Sequence, residues 1–174
     1  MAIKVENNSE QKDEKTIKLV KQVIHTVPRE HTLGIERIRL VNTINDPRLK
    51  TARVSSLPGL YHPKQGPQSA WLEVALDVLR PQDQPFHKRL LNRLSFKSNL
   101  ATVLFSLIGQ HYYLTLRHSK KKTQLEPLVR DYTEKSLRKW SEGQHQFRAK
   151  LFKPLQPVLE RWSRSLQKRA KKEK

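Results

Sequence analysis

The longest uncharged stretch of the chain limits most strongly how the chain can fold. In residues 98–116, nineteen positions carry no formal charge, and eleven of them are apolar or aromatic. This length is near the minimum for a membrane span, but Asn99, Gln110 and His111 would each need a polar partner in lipid. The stretch therefore predicts a buried core helix rather than a span.

Helical spacing gives this predicted helix, over residues 98–117, one apolar stripe with Ser98 as a suitable N-cap. The stripe consists of Leu100, Val103, Leu104, Leu107, Ile108, His111 and Leu114. Because His111 falls within it, we expect this histidine to be a hydrogen-bonded structural residue.

The segments before this helix predict a mixed α+β fold, with a small sheet packed on the central apolar helix. Alternation of Ile35, Ile38 and Leu40 favours a strand over residues 35–44, and the pattern of residues 70–79 favours a strand over a helix. We also expect an amphipathic helix over residues 10–24, capped by Ser9, and a short basic helix over residues 86–94. A short extended piece is expected over residues 51–55, followed by a proline-rich loop over residues 57–67.

The remaining segments predict a domain with extensions at both ends. Further helices are expected over residues 124–141 and 144–171, with Pro154 and Pro157 kinking or splitting the second. The predicted organisation is a disordered N-terminus over residues 1–9, an α+β domain over residues 10–141 and a basic helical C-terminal extension over residues 142–174.

The charge of the chain favours a polyanionic partner. Thirty-five basic and sixteen acidic residues give a net charge of +19, and residues 117–174 alone hold eighteen basic and six acidic residues. Such an excess is typical of proteins that contact the backbone of RNA or DNA. The predicted contact residues are Arg117, Lys120, Lys121, Lys122, Arg138, Lys139, Arg148, Lys150, Lys153, Arg161, Arg164, Lys168, Arg169, Lys171 and Lys172.

Aromatic residues are interleaved with these basic residues, and their role has two interpretations. They are Trp140, Phe147, Phe152 and Trp162. Packing against the core or a neighbouring helix is the simpler interpretation, and stacking on exposed bases is the alternative. An acidic protein surface is a further possible partner for the charge, so an adaptor that docks an acidic protein remains an alternative function.

The absence of cysteine and of an N-terminal apolar segment excludes several classes. Without cysteine the chain has neither a disulfide scaffold nor a thiolate zinc site. The first fifteen residues contain no apolar segment of the kind found in secretory signals, which predicts a cytoplasmic protein by default.

The order of elements from about residue 35 to residue 135 resembles small zincin metallopeptidase domains. Residues 58–63 (PGLYHP) look like the extended segment of such domains, and residues 70–79 look like the strand that lines their cleft. Residues 104–111 (LFSLIGQH) look like the helix that bears His-Glu-x-x-His, with Gly109 at the characteristic small position. The resemblance implies a zincin-like fold over roughly 100 residues.

The chemistry of that motif is absent, so the resemblance argues against peptidase activity. Ser106, Leu107 and Gln110 stand where the first histidine, the glutamate and the second histidine would be, and Val129 stands at the later acidic ligand. We therefore expect a pseudoenzyme with no cofactor and no catalytic residues. A metallopeptidase-like enzyme with a non-standard site around His62 and His111 remains an alternative.

These observations together predict a non-catalytic subunit or factor of a larger nucleoprotein assembly that binds a nucleic-acid backbone. They do not distinguish RNA from DNA.

Overall fold

The computed structural model describes residues 3–10, 13–45, 56–81, 86–115 and 122–152, without the side chains of residues 86–94, 122–124 and 145–152. The chain divides into two compact units, Met1–Leu137 and Arg138–Lys174. The described elements are β1 (Lys4–Asn7), α1 (Glu14–Thr26), a 3₁₀ helix (Arg29–Thr32), β2 (Ile35–Val41), β3 (Gly59–His62), β4 (Ala70–Ala75), α2 (Leu76–Leu79), α3 (Phe86–Thr115) and α4 (Lys122–Phe152).

The four strands form one mixed sheet in the order β1-β2-β4-β3. Strands β1, β2 and β4 run parallel, and β3 pairs antiparallel with β4 at one edge. The structure therefore confirms the α+β class. Residues 51–55, where a further extended piece was predicted, lie outside the described residues.

One face of the sheet forms the core. Ile38 and Leu40 of β2 and Leu72 and Val74 of β4 are fully buried, whereas the residues between them, Arg39 and Glu73, are partly exposed. Helices α1 and α3 contact each other, and α3 contacts β3 and β4 on the buried face. The most apolar stretch of the sequence thus becomes the helix that covers the sheet, since burial of its side chains removes the largest apolar area from water.

A bulge explains why the apolar residues of β2 depart from strict alternation. Ile35 and Ile38 are both buried although they are three residues apart, and the pairing of β2 with β4 shifts between Ile35 and Arg37. The additional residue, Glu36, is exposed. A bulge inserts one residue into a strand, so the buried face is the same on both sides of it.

The N-terminal segment is a strand, so the prediction of disorder over residues 1–9 is wrong for Lys4–Asn7. Its four residues pair with Arg37–Leu40 of β2, and the amide of Asn8 donates to the carbonyl of Leu40. The pattern Lys-Val-Glu-Asn is too polar and too short to signal a strand, and the neighbouring edge of β2 supplies the pairing.

Helix α1 starts later than predicted, and Ser9 is not its cap. The carboxylate of Asp13 accepts a hydrogen bond from the amide of Lys15 and caps the helix. The hydroxyl of Ser9 is buried and donates to the side-chain oxygen of Asn7 instead. The strand that was predicted over residues 70–79 is shorter than expected. It is confirmed for Ala70–Ala75 only, because Leu76–Leu79 form the single helical turn α2.

Helix α3 joins the predicted basic helix and the predicted core helix into one element of 30 residues. Ser98 lies inside this helix, where its carbonyl accepts a hydrogen bond from the hydroxyl of Thr102, so its prediction as an N-cap is wrong. Residues 86–97 contain neither proline nor glycine to end a helix. Among the described residues, no helix combines the length and the hydropathy needed to cross a bilayer.

Helix α4 is likewise continuous through the predicted break near residue 142 and contains Gly143. The part of residues 144–171 that lies beyond Phe152, with Pro154 and Pro157, is outside the described residues.

Substitution of Gly109 is expected to test how closely α3 approaches α4. A Cβ atom added at Gly109 would lie 2.8 Å from Cδ1 of Tyr132, so Gly109→Ala forces the ring to move and should destabilise the fold by about 1–3 kcal/mol. Gly143→Ala is the matched control, since an added Cβ there meets nothing within 4 Å and a helical alanine gains up to about 1 kcal/mol. Urea denaturation measures both; equal effects of the two variants would contradict the close approach.

Candidate functional site

Apolar side chains fill the region where the resemblance places a catalytic cleft. A Cβ atom added at Gly59 of β3 would lie 2.7 Å from Cγ1 of Val103 and 2.9 Å from Cδ1 of Leu107, so the edge strand lies directly against α3. Leu107 is 3% exposed, as the apolar stripe predicts. The position that the resemblance assigns to a glutamate is therefore occupied by a leucine that packs between α3 and β3.

The other positions that the resemblance assigns to metal ligands do not carry the histidines or the carboxylate that it requires. Val129 of α4 is buried, and Ser106 and Gln110 of α3 are half-buried. Within the described ranges, no three histidine, aspartate or glutamate side chains lie together in a way that suits a metal ion. Of the predicted stripe, Leu114 is 44% exposed near the end of α3 and Val103 is half-buried, whereas the other members are buried.

His111 links three parts of the core through its ring. Its Nε2 donates to the carbonyl of Leu33 at 2.7 Å, which leaves Nδ1 to accept from the hydroxyl of Tyr61 at 3.1 Å. The hydroxyl of Thr115 lies 3.4 Å from Nδ1 and donates to the carbonyl of His111. Both ring nitrogens are occupied, which matches the structural role predicted for this residue.

Burial keeps the His111–Tyr61 pair uncharged. Desolvation lowers the pKa of His111 below its usual value, although the hydrogen bond to Leu33 acts in the opposite direction. Desolvation also raises the pKa of Tyr61. The neutral Tyr61 hydroxyl therefore donates one hydrogen bond to the neutral His111 ring, and no unpaired charge is buried in the core.

His62 does not approach His111, so the alternative metal site around these two residues is not assembled. In β3, Tyr61 faces the core and the next residue, His62, faces the other side of the sheet. There the ring of His62 stacks on Trp71 with centroids 3.6 Å apart, and its Nε2 lies 3.1 Å from Oε2 of Glu73.

A cluster of aromatic rings, which the sequence analysis did not identify, connects the 3₁₀ helix with α3 and α4. The His31 ring lies 4.2 Å from that of Tyr112, and its Nδ1 lies 3.0 Å from the hydroxyl of Tyr132. Burial raises the pKa of Tyr132 to about 12. At neutral pH Tyr132 is therefore protonated, and the contact is a packing and hydrogen-bonding element of the fold.

The predicted nucleic-acid contacts lie mostly outside the described residues. Arg138 is exposed and forms an ion pair with Glu142 at 3.2 Å, and Lys139 is exposed. Lys122, Arg148 and Lys150 lie within α4, but their side chains are not described. The others, Arg117, Lys120, Lys121, Lys153, Arg161, Arg164, Lys168, Arg169, Lys171 and Lys172, fall outside the described part of the chain.

Trp140, the one aromatic of the basic helical run whose side chain is described, is buried, which fits packing better than base stacking.

A second group of basic residues, missed by the sequence analysis, lies on the face of the sheet opposite the core. We call it the open-face cluster; its members are Arg37, Arg39, His62, Trp71 and Glu73. The guanidinium carbons of Arg37 and Arg39 lie 5.5 and 4.8 Å from the ring centroid of Trp71. Alternation in residues 37–40 (RIRL) places both arginines on one face, but only the register between strands shows that they meet Trp71.

Replacement of Leu107 by aspartate is expected to damage the fold. An unpaired carboxylate at this buried position should cost at least about 3 kcal/mol, whereas Leu107→Met, which conserves volume, should cost under about 1.5 kcal/mol. Thermal unfolding measures both; if Leu107→Asp melts like the wild type, the buried face of α3 is assigned wrongly.

Stability is expected to fall in mildly acid solution because of His111. Since the pKa of His111 is lowered in the folded state, protonation favours the unfolded chain. The contribution of neutral His111 is complete above the unfolded pKa of about 6.5 and decreases below it, by at most about 1.4 kcal/mol per pH unit.

Urea denaturation between pH 7.5 and 5 measures this dependence. His111→Gln should flatten it, and His25→Gln, at an exposed position of α1, should leave it unchanged. A wild-type stability that is constant over this range would contradict the assignment. Glu6, whose pKa is lowered chiefly by Lys4, contributes only at more acid pH.

In comparisons with known proteins, no family model matches the chain, and no curated protein and no solved structure matches it significantly.

Proposed function

We propose that this chain is a non-catalytic protein that binds the phosphate backbone of nucleic acid, as a subunit or factor of a larger nucleoprotein assembly. The observation that carries the proposal is the net charge of +19 together with its distribution. A chain with this excess repels itself unless it is bound to a polyanion, and duplex nucleic acid is a polyanion with one negative charge per about 1.7 Å of helix axis.

The distribution of charge along α4 supports this proposal. Its middle part, residues 125–144, holds four basic and four acidic residues. Ion pairs one turn apart join Arg130 to Glu134, Asp131 to Lys135 and Arg138 to Glu142. The excess of positive charge in the C-terminal third therefore belongs to residues 117–122 and 148–174. Because Arg138 has an intrahelical partner, we assign it a smaller part in binding than the residues in those two segments.

We further propose that the scaffold is zincin-like with a degenerate motif. Two observations support this: Leu107 packs on the edge strand, and Val129 is buried. The absence of a catalytic set at these positions is the reason for proposing a binding protein rather than a peptidase. An adaptor that docks an acidic protein uses the same charge, and the binding test below distinguishes it.

Removal of residues 161–174 is expected to weaken binding and its salt dependence. The deletion takes away seven basic residues and one acidic residue. Each phosphate neutralised by a cation releases counterions, so a surface with about six such contacts should lose roughly a thousandfold in affinity between 50 and 200 mM salt. Fluorescence anisotropy with a short random RNA and a short DNA duplex measures how the affinity of the wild type and of the deletion variant changes with salt concentration.

A variant with the same fourteen residues in scrambled order is the control. If binding is electrostatic and independent of sequence, the scrambled tail should retain the wild-type slope. An unchanged slope after the deletion, or tight binding to an acidic polypeptide with none to RNA or DNA, would favour the adaptor.

Metal analysis tests the non-catalytic part of the proposal. We expect no stoichiometric zinc in the purified protein, because Ser106, Leu107, Gln110 and Val129 stand at the four motif positions. One zinc ion per chain that is lost in a His111→Gln variant would contradict this and restore the enzyme alternative.

A further inference from the structure

The open-face cluster is built as a column of stacked groups that crosses three strands. The ring of His62 on β3 lies parallel to that of Trp71 on β4, with an interplanar angle of 1°. On the opposite side of Trp71, toward β2, lie the guanidinium groups of Arg37 and Arg39. Because both guanidinium carbons are near one ring centroid, they lie within about 10 Å of each other.

The arginines of this column have hydrogen-bonding capacity that the described protein does not use. The Nε atom of Arg37 and the Nε atom of Arg39 are each buried without a hydrogen-bond partner. Buried donors without an acceptor are rare in folded proteins, since each one costs the free energy of its lost hydration. Two such donors on adjacent outward-facing positions of one strand suggest a missing acceptor that serves both.

The two described carboxylates on this face make their short contacts with other groups, and Glu6 also forms a longer ion pair with Arg39. Oε2 of Glu73 lies 3.1 Å from Nε2 of His62. Glu6 of β1 makes its short contact, 2.9 Å, with Lys4 and lies 3.9 Å from Nε of Arg39. Among the described side chains, neither carboxylate therefore supplies a hydrogen-bond acceptor to the Nε atoms of the two arginines.

We propose that the open-face cluster is a phosphate-binding subsite in which Arg37 and Arg39 bind the backbone of a nucleic acid. This inference rests on the proposed function and adds a contact surface that is separate in sequence from the basic C-terminal segments. A guanidinium group presents a planar fork of N–H donors that matches the oxygens of a phosphate, and Trp71 holds both forks in position.

The same geometry indicates that this subsite reads no bases. His62 covers one face of the Trp71 ring and the arginines cover the other, so no face of this ring is open for stacking on a base. Contacts to phosphate position a nucleic acid without carrying sequence information. Binding at this face should therefore be equal for strands of different sequence.

The test compares two double variants that each remove two positive charges. Arg37→Gln/Arg39→Gln changes the subsite, and Lys18→Gln/Lys21→Gln changes exposed residues of α1 on the other side of the sheet. Anisotropy with a random single-stranded oligonucleotide across a salt series gives the affinity and the slope. We expect the arginine variant to bind at least about tenfold more weakly with a slope reduced by about two, and the lysine variant to keep the wild-type slope.

A conservative variant and a direct signal keep the result independent of folding. Arg37→Lys/Arg39→Lys retains the charge but not the fork, so it should keep most of the slope and lose part of the affinity. Single Arg37→Lys and Arg39→Lys changes assign the Nε–H NMR signals of the two arginines. In spectra of the wild type, these signals should shift until saturation as the oligonucleotide is added. Inorganic pyrophosphate and polyglutamate are titrated in parallel.

The outcomes separate this proposal from the proposed function. If the wild type binds with a steep salt slope but the arginine and α1 variants behave alike, the subsite is refuted and the proposed function stands. If the wild type binds neither RNA nor DNA, both are refuted. Nε–H shifts with pyrophosphate but not with the oligonucleotide would assign the face to a small phosphate ligand. Shifts with polyglutamate but not with the oligonucleotide would assign it to an acidic protein. Either result would overturn the proposed nucleic-acid subsite.

Discussion

The core depends on one buried histidine. The ring of His111 on α3 joins the turn at Leu33, which precedes β2, to Tyr61 on the edge strand β3, through hydrogen bonds at both nitrogens. A hydrophobic contact at this place would leave the Leu33 carbonyl and the Tyr61 hydroxyl without this partner, and the cost is largest for the Tyr61 hydroxyl, whose bond to His111 is buried. The contact of β3 with Leu107 follows from this arrangement, because Tyr61 and Gly59 lie on the same side of their strand. The packing that holds the helix on the sheet therefore also fills the region where the resemblance places catalysis.

Charge and hydrophobicity are separated in this molecule, and the separation supports a binding function. The described middle of α4 neutralises its own charges through pairs one turn apart, which are worth little individually at the surface. The open-face cluster differs, because its two arginines share one tryptophan and, among the described side chains, no carboxylate lies at hydrogen-bonding distance from their Nε atoms. Glu6 balances part of their charge at longer range, so the two unused Nε donors, rather than the net charge, distinguish this surface from that of α4.

Elements with a strong local pattern were predictable, and elements that depend on partners were not. Strand β2, most of β4 and the buried stripe of α3 follow from apolar periodicity, and the burial of Leu107 and His111 follows from that stripe. Strand β1 is polar and four residues long, so only its pairing with β2 makes it a strand. The open-face cluster was missed for the same reason: Arg37, Trp71 and His62 are far apart in sequence and meet only when the register of three strands is known.

Helix α3 begins at Phe86, well before Leu100, which is the first fully buried residue among its described side chains. Lys97, Ser98 and Asn99, just before Leu100, are exposed. Nucleating an isolated helix is costly, but adding residues to an existing one is not. The first turns of α3 are thus expected to form by elongation from the packed segment, after that segment has docked on β3. Helical order at Phe86 then depends on contacts made about four turns or more away, at Leu100 and beyond.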